Sequence, residues 1–381
     1  MRKTIVSLYQ FLFYKVLFSI FKLFPTDQKK IIYISHYGNR FGCNPKSMFE
    51  YVVENYPEYK NIVVLNQQGH NHAEENVKYV SYYSVAFLIE LATSKYWVVN
   101  TNLNPYLKPK KGTEYLQTWH GAGAFKKFGL DLPDSREKEK QSWKKDTSHW
   151  TKMLSSSESI IDIYSSACGI DKTIIHPTGL PRNDVFFQTK DTLKRKEEFY
   201  KTYNINPNKK IILYAPTYRD MNNDNPLNLD FSRLQKDLGE EYVFVLKLHP
   251  FLAKYQFETK EDGEKFVFNL SAIDDIQDLL LIADVLITDY SSVIFDYALT
   301  GKPMLFYSYD LEEYERGFYF EYKGFVPGPI VYTQEQLTAQ LQNYDQLYAQ
   351  HHDQVIAFAK EYNAGFDGKS TEKAVNLLLN K

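Results

Sequence analysis

Two doubly wound α/β halves, each a parallel sheet covered by helices, are the fold class that this 381-residue chain predicts. Three observations carry it. The length exceeds what one hydrophobic core usually fills, so two domains are expected. Short apolar runs alternate with helix-like stretches, which is the pattern of a parallel sheet buried on both faces. The alternation occurs twice, on either side of the charged stretch "KDTLKRKEEFYKTYNI" (Lys190 to Ile205), which reads as a surface helix at the domain junction.

In chain order, the first 24 residues, "MRKTIVSLYQFLFYKVLFSIFKLF", are strongly apolar but broken by Lys15 and Lys22. On a helical wheel Lys3, Ser7, Gln10, Tyr14, Lys15, Ser19 and Lys22 share one half, and Ile5, Leu12, Val16, Ile20 and Leu23 the other. This predicts an amphipathic helix over 1–24 lying in a membrane interface, its lysines facing anionic headgroups. A terminal helix docked on its own domain is the alternative.

Domain one is expected over 25–189. Its strands are "KIIYISH" (Lys30 to His36), "NIVVLN" (Asn61 to Asn66), "VKYVSYY" (Val77 to Tyr83), "YWVVNT" (Tyr96 to Thr101) and "EYLQTWH" (Glu114 to His120). Domain two is expected over 190–381, its last helix free to pack back on domain one. Its strands are "KKIILYAPT" (Lys209 to Thr217), "YVFVLKLHP" (Tyr242 to Pro250), "FVFNL" (Phe266 to Leu270), "ADVLITDYSS" (Ala283 to Ser292) and "PMLFYS" (Pro303 to Ser308). Ligands of such sheets bind beyond the carboxyl ends of strands, so residues there are the candidates for chemistry.

Composition narrows the function. A formal net charge of -2 argues against a general nucleic-acid binder. Cys43 and Cys168, the two cysteines, form neither a disulfide framework nor a zinc pattern, which suits a reducing compartment. The 31 Tyr and 26 Phe fit sugar-like or interfacial ligands as well as cores. No Walker loop, dinucleotide fingerprint, nucleophile elbow or DxD motif is present, so an ATPase, a dehydrogenase and a serine hydrolase are disfavoured, and no metal or cofactor is expected.

Four motifs at strand ends carry candidate chemistry. "LQTWHGAGAFKKFGLD" places His120 beside Gly121 and Gly123, where an imidazole of near-neutral pKa can be approached closely and serve as a base. In "ITDYSSVIFDYALTGKP" a helix starting near Ser291 would offer N–H groups, with the Ser291 and Ser292 hydroxyls, to a pyrophosphate; Asp289 or Ser291 as a plain helix cap is the alternative. In "LKLHP", Lys247 and His249 alternate onto one face as phosphate ligands or a proton donor, unless His249 merely bonds a carbonyl. "YAPTYRD" and "GLPRND" place Arg219 and Arg182 in loops, suited to bidentate phosphate contact with Thr217 adding a hydroxyl, or to ion pairs with Asp220 and Asp184. His36 and the remaining histidines lack comparable surroundings.

Taken together, "WHGAGAFKKFG", "YAPTYRD", "LKLHP" and "ITDYSSVIFDYALTGKPMLFY" closely resemble the CDP-glycerol glycerophosphotransferases, the wall teichoic acid primases and polymerases of Gram-positive bacteria, and most of all their short primase-like members. The resemblance runs over roughly residues 110 to 360. It implies a glycosyltransferase-B-like pair of Rossmann-type domains facing a cleft, with CDP-glycerol held mainly by the second. It also implies His120 as base and His249 as a second essential histidine, with Arg182, Thr217, Ser291 and Ser292 at donor phosphates. Gly121, Pro216, Arg219, Lys247, Thr288, Asp289 and Asp296 complete the expected substrate-binding set. Many relatives carry a threonine where this chain has Ala122, so one hydroxyl contact is absent.

The expected reaction moves glycerol phosphate from CDP-glycerol to a hydroxyl of an undecaprenyl-diphosphate-linked disaccharide, releasing CMP, by a peripheral protein at the cytoplasmic membrane face. A CDP-ribitol or capsule-polymer enzyme, and a glycosyltransferase with a nucleotide-sugar donor, are the alternatives. Expected partners are the donor, the lipid-linked acceptor and an anionic membrane surface, with no nucleic acid; a homo-oligomer is compatible with the sequence.

Overall fold

The computed structural model describes residues 11–66, 76–132, 137–219, 227–248, 265–314, 317–363 and 367–381. The chain divides into two compact units. Unit 1 comprises 1–120, 128–184 and 367–381, and unit 2 comprises 121–127 and 185–366. Two departures from a simple split matter. Seven residues after His120 belong to unit 2, and the C-terminal helix belongs to unit 1.

Unit 1 holds, among the described residues, a seven-stranded parallel sheet: β1 (Asp27–Ile34), β2 (Lys60–Val64), β3 (Val77–Val80), β4 (Ser94–Val99), β5 (Glu114–Gln117), β6 (Lys152–Leu154) and β7 (Ile175–His176). Their order is β3-β2-β1-β4-β5-β6-β7. β1 is fully buried from Ile31 to Ile34, as an apolar run covered on both faces should be. It pairs with β2 on one side and β4 on the other, so the strand order reverses between β1 and β4. Such a reversal opens a crevice at the carboxyl ends of the two strands.

Unit 2 repeats the plan with β8 (Lys210–Tyr214), β9 (Tyr242–Leu246), β10 (Val267–Asn269), β11 (Val285–Thr288), β12 (Met304–Tyr307) and β13 (Ile330–Val331). The order is β10-β9-β8-β11-β12-β13, all parallel, and its reversal lies between β8 and β11. A continuous core runs through Ile212, Leu234, Phe244, Leu246, Ile287, Leu305 and Leu337.

Residues 1–10 of the expected amphipathic helix lie outside the described residues. Phe11–Leu17 forms a π-helical turn and Phe18–Phe21 a short α-helix. Tyr14, placed on the polar half by the wheel, is instead buried with Phe18, whose ring lies 6.4 Å from that of Trp97. Leu12, Val16, Ile20, Leu23 and Phe24 are exposed. The segment is therefore anchored by two aromatic side chains while its aliphatic side chains face outward.

The terminal helix Ser370–Leu379 packs on the helix Cys43–Asn55. Asp184 receives the Ser370 and Thr371 N–H groups at 2.9 and 2.7 Å, a carboxylate at a helix N-terminus where it is favourable. This occupies the side chain that sequence reasoning offered as an ion-pair partner for Arg182.

Asp146 is a buried acid of unit 1. Burial raises its carboxyl to about 7, although the Leu103 N–H and the Asn102 amide donate to it. Because the folded pKa is raised, the folded state binds the extra proton between the usual carboxylate value and about 7, and stability falls as pH rises through that window. Asp146→Asn is expected to remove this loss, raising unfolding stability at pH 8 relative to wild type by on the order of 4 kcal/mol at most, read as a higher urea midpoint. The difference between the two proteins should shrink towards pH 4. A constant difference across that range in parallel urea titrations would contradict the assignment.

Candidate functional site

In unit 1 the candidate residues sit at the crevice opened by the β1/β4 reversal. His36 follows β1, Asn100 follows β4, and His120 follows β5. The His120 Nδ1 lies 2.8 Å from the Asn100 carbonyl oxygen. A carbonyl accepts only, so Nδ1 carries the proton and Nε2 is left with a lone pair. That tautomer is the one a general base needs.

Solvent reaches His120, yet surrounding protein atoms desolvate it and lower its pKa; the Asn100 hydrogen bond opposes this, and Arg182 and Arg40 add to the lowering. The imidazole is therefore neutral at neutral pH. Trp119 lies against it, ring centroids 4.3 Å apart, and has a left-handed φ of 53° that turns the chain sharply at this point.

Arg182 is buried in unit 1. Its Nη1 donates to the His120 carbonyl oxygen at 2.7 Å and to Cys43 Sγ at 3.2 Å. Asn44 ties the same loops: Nδ2 donates to the Thr118 and Trp119 carbonyls, and Oδ1 accepts from the Arg182 N–H. Arg182 thus holds the backbone of His120 as well as placing a cation there.

Sequence reasoning missed His36, Asn100 and Asn44. All three lie just after strands or at the start of the next helix, but only strand order reveals that β1 and β4 are neighbours.

In unit 2 the loops after β8 and β11 meet at its sheet reversal. Asp289 is almost wholly buried and accepts from the Thr217 N–H at 2.9 Å. Arg219 donates to Asp289 at 2.5 Å and bidentately to Asp310 at 2.5 and 2.7 Å. Tyr290 donates to Asp310 at 2.8 Å. Burial alone would raise the Asp310 carboxyl, but Arg219 and Tyr290 outweigh it and hold it below its ordinary value. Arg219, for its part, is pushed up by the two carboxylates against burial. The arginine read as a phosphate ligand is a clamp joining three loops through Asp289 and Asp310; Asp220, its alternative ion-pair partner, lies outside the described residues.

Thr288 is buried and bonds the Ala215 carbonyl at 2.7 Å; Asp296 is buried as well. Lys247 donates to the carbonyl oxygens of Ser271, at 3.0 Å, and Ile273, holding the loop after β10. Half-exposed Thr217, Ser291 and Ser292 carry hydroxyls at the loop surface, with Pro216 in the same β8 loop; Ser291 Oγ also accepts from the Val293 N–H at 3.4 Å, the capping contact given as its alternative role. Lys126 Nζ lies 3.4 Å from Thr217 Oγ1. The helix here is Val293–Tyr297, starting two residues later than expected. His249 lies outside the described residues.

Gly121 lies in the 121–127 segment of unit 2, buried. Gly123 is small for a reason other than substrate approach: a Cβ there would meet the Phe295 ring at 2.5 Å. Phe125 stacks between Tyr322 and Phe325, and the Lys127 N–H donates to the Gly317 carbonyl. At Gly123, close packing against Phe295 accounts for the missing side chain.

Two Rossmann-type units are thus defined, a neutral imidazole lying beyond the strand ends of one and a pair of hydroxyl-bearing loops beyond those of the other. Residues 16–380 match the CDP-glycerol:poly(glycerophosphate) glycerophosphotransferase family, and the chain belongs to it. It is 34% identical to a teichoic acid poly(glycerol phosphate) polymerase of Bacillus subtilis, over 96% of this chain and half of that one. It is 31% identical to a teichoic acid glycerol-phosphate transferase of Staphylococcus aureus, over 94% of this chain and 95% of that one. A teichoic acid ribitol-phosphate primase of Bacillus spizizenii is 34% identical over 76% of each. A structure of a variant of the wall teichoic acid polymerase TagF soaked with CDPG superposes with a TM-score of 0.88, at 28% identity, covering all of this chain and 97% of that one. The glycosyltransferase-B-like fold, with its two parallel-sheet units, is shared with it.

Proposed function

We propose that the protein transfers glycerol phosphate from CDP-glycerol to a hydroxyl of a lipid-linked saccharide, releasing CMP, in teichoic acid synthesis. The observation that carries this reading is the His120 tautomer, fixed by Asn100 with Nε2 left to accept a proton. In the reaction the acceptor oxygen bonds to the phosphorus bearing glycerol as its proton passes to Nε2. The diphosphate P–O bond breaks, and its electron pair leaves with CMP. Lys126, Thr217, Ser291 and Ser292 would bind the donor phosphates, positioning and stabilising charge as phosphoryl transfer requires. The S. aureus transferase, similar over nearly its whole length, supports glycerol phosphate as the group moved.

The site of action in this reading is the cytoplasmic membrane surface. Exposed Leu12, Val16, Ile20, Leu23 and Phe24 would enter the acyl boundary. Lys15 rests over the Phe11 and Tyr106 rings, Lys110 donates to the Phe24 carbonyl, and Lys22 lies near enough to Lys108 to feel its charge, so cations ring the apolar side chains.

Incubation with CDP-glycerol, CDP-ribitol or UDP-sugars, and lipid-linked acceptor in anionic vesicles, is expected to release CMP from CDP-glycerol. UDP release alone would remove this function. In the same vesicles, L12S/I20S/L23S is expected to sediment less than wild type, these side chains being exposed and unneeded for folding. Equal sedimentation would end the membrane-surface reading.

A further inference from the structure

We propose that His36 is a second acceptor-binding residue, forming with His120 a donor and acceptor pair of imidazoles that grips the attacking hydroxyl from two sides. The inference rests on His120 being the base that the proposed function requires. It arises from Asn100, which contacts both rings with different atoms.

Its side-chain Oδ1 accepts from the His36 backbone N–H at 2.9 Å, which fixes the orientation of the amide. The amide nitrogen therefore lies 3.4 Å from His36 Nε2 and also donates to Ser35 Oγ at 3.3 Å. An amide nitrogen only donates, so His36 Nε2 accepts and the ring proton sits on Nδ1. On His120 the Asn100 carbonyl sets the opposite arrangement of available atoms, with Nδ1–H engaged and Nε2 left as the acceptor. One residue thus leaves an N–H on one ring and a lone pair on the other.

The rings are close enough for one hydroxyl to reach both. The ring centroids are 6.4 Å apart and the rings are inclined by 57°. An oxygen hydrogen-bonded to one nitrogen of each ring, with a tetrahedral angle at the oxygen, separates the centroids by about 6.5 Å. The oxygen would accept from His36 Nδ1–H while donating its proton to His120 Nε2. That holds one lone pair in place and leaves another to attack.

Two features support a role beyond packing. His36 and Tyr37 have φ of 46° and 57°, a left-handed stretch that non-glycine residues adopt only when the surroundings impose it. Burial, with Arg40, His120 and Arg182 nearby, lowers His36 to about 3, so it keeps one N–H rather than two at working pH.

The test uses the full chain with CDP-glycerol and a short-chain, water-soluble disaccharide diphosphate acceptor. His36→Gly removes the ring yet tolerates the left-handed φ, and His36→Asn tolerates it while placing an amide N–H near the position of Nδ1. We expect His36→Gly to raise acceptor KM about tenfold with donor KM within twofold, and His36→Asn to recover to within about threefold of wild type. If His36→Gly leaves acceptor KM unchanged while His120→Ala is inactive, the pair is overturned and the proposed function stands. Should both variants keep wild-type turnover, the base assignment itself fails. If His36→Gly and His36→Asn weaken donor and acceptor alike and lower the melting temperature together, His36 is only a strut and the inference is overturned.

Discussion

His120→Ala is expected to lower kcat by about 10²–10⁴, the usual contribution of a positioned base, while leaving CDP-glycerol affinity within a factor of two. Donor affinity should survive because the proposed donor contacts lie on unit 2 loops, whereas His120 is held by Asn100 and Arg182 within unit 1. Wild-type kcat/KM should show an acid limb set below 6.5, since desolvation and the two arginines favour the neutral ring. The limb should vanish in the variant. Rapid-quench turnover and calorimetric donor titration together check this. Near-wild-type turnover would refute the base assignment, and loss of donor binding would move His120 into the donor site.

The fold was legible because its central strands are continuous apolar runs. "KIIYISH" and "YVFVLKLHP" contain β1 and β9 in full apart from the start of β1. β6, β7 and β13 went unseen because three or two residues cannot display a period, and neighbouring strands define them more than their own side chains do.

The site was half legible for a similar reason. His120 could be found from its motif, but the partner that sets its tautomer is a backbone carbonyl, which any residue at position 100 would supply. His36 could be weighed only after β1 proved to lie beside β4. Gly123 was read as room for substrate; its neighbour is Phe295, 172 positions away, and no local pattern announces such a contact. Likewise the sequence shows that Arg219 is a cation, but not that Asp289 and Asp310 both claim it.

Arg219→Ala should therefore act first on stability, costing unit 2 about 3–5 kcal/mol, because it leaves two carboxylates without the cation that offsets their burial. The pH dependence identifies the cause. In wild type the depressed Asp310 pKa contributes stability present above the ordinary carboxylate value and lost as pH falls through the folded value. Without Arg219, burial dominates and raises the Asp310 carboxyl, so the variant loses stability as pH rises instead. The gap between the two proteins should be widest near neutrality and narrow below about pH 4. Arg219→Lys should recover less than half, since an ammonium cannot make the bidentate contact with Asp310 while reaching Asp289. Donor affinity should fall with stability, because the Thr217 N–H and the Ser291 loop both depend on Asp289 staying in place. Urea unfolding at several pH values, paired with donor titration, separates the alternatives: a variant that loses donor binding at unchanged stability would make Arg219 a phosphate ligand after all.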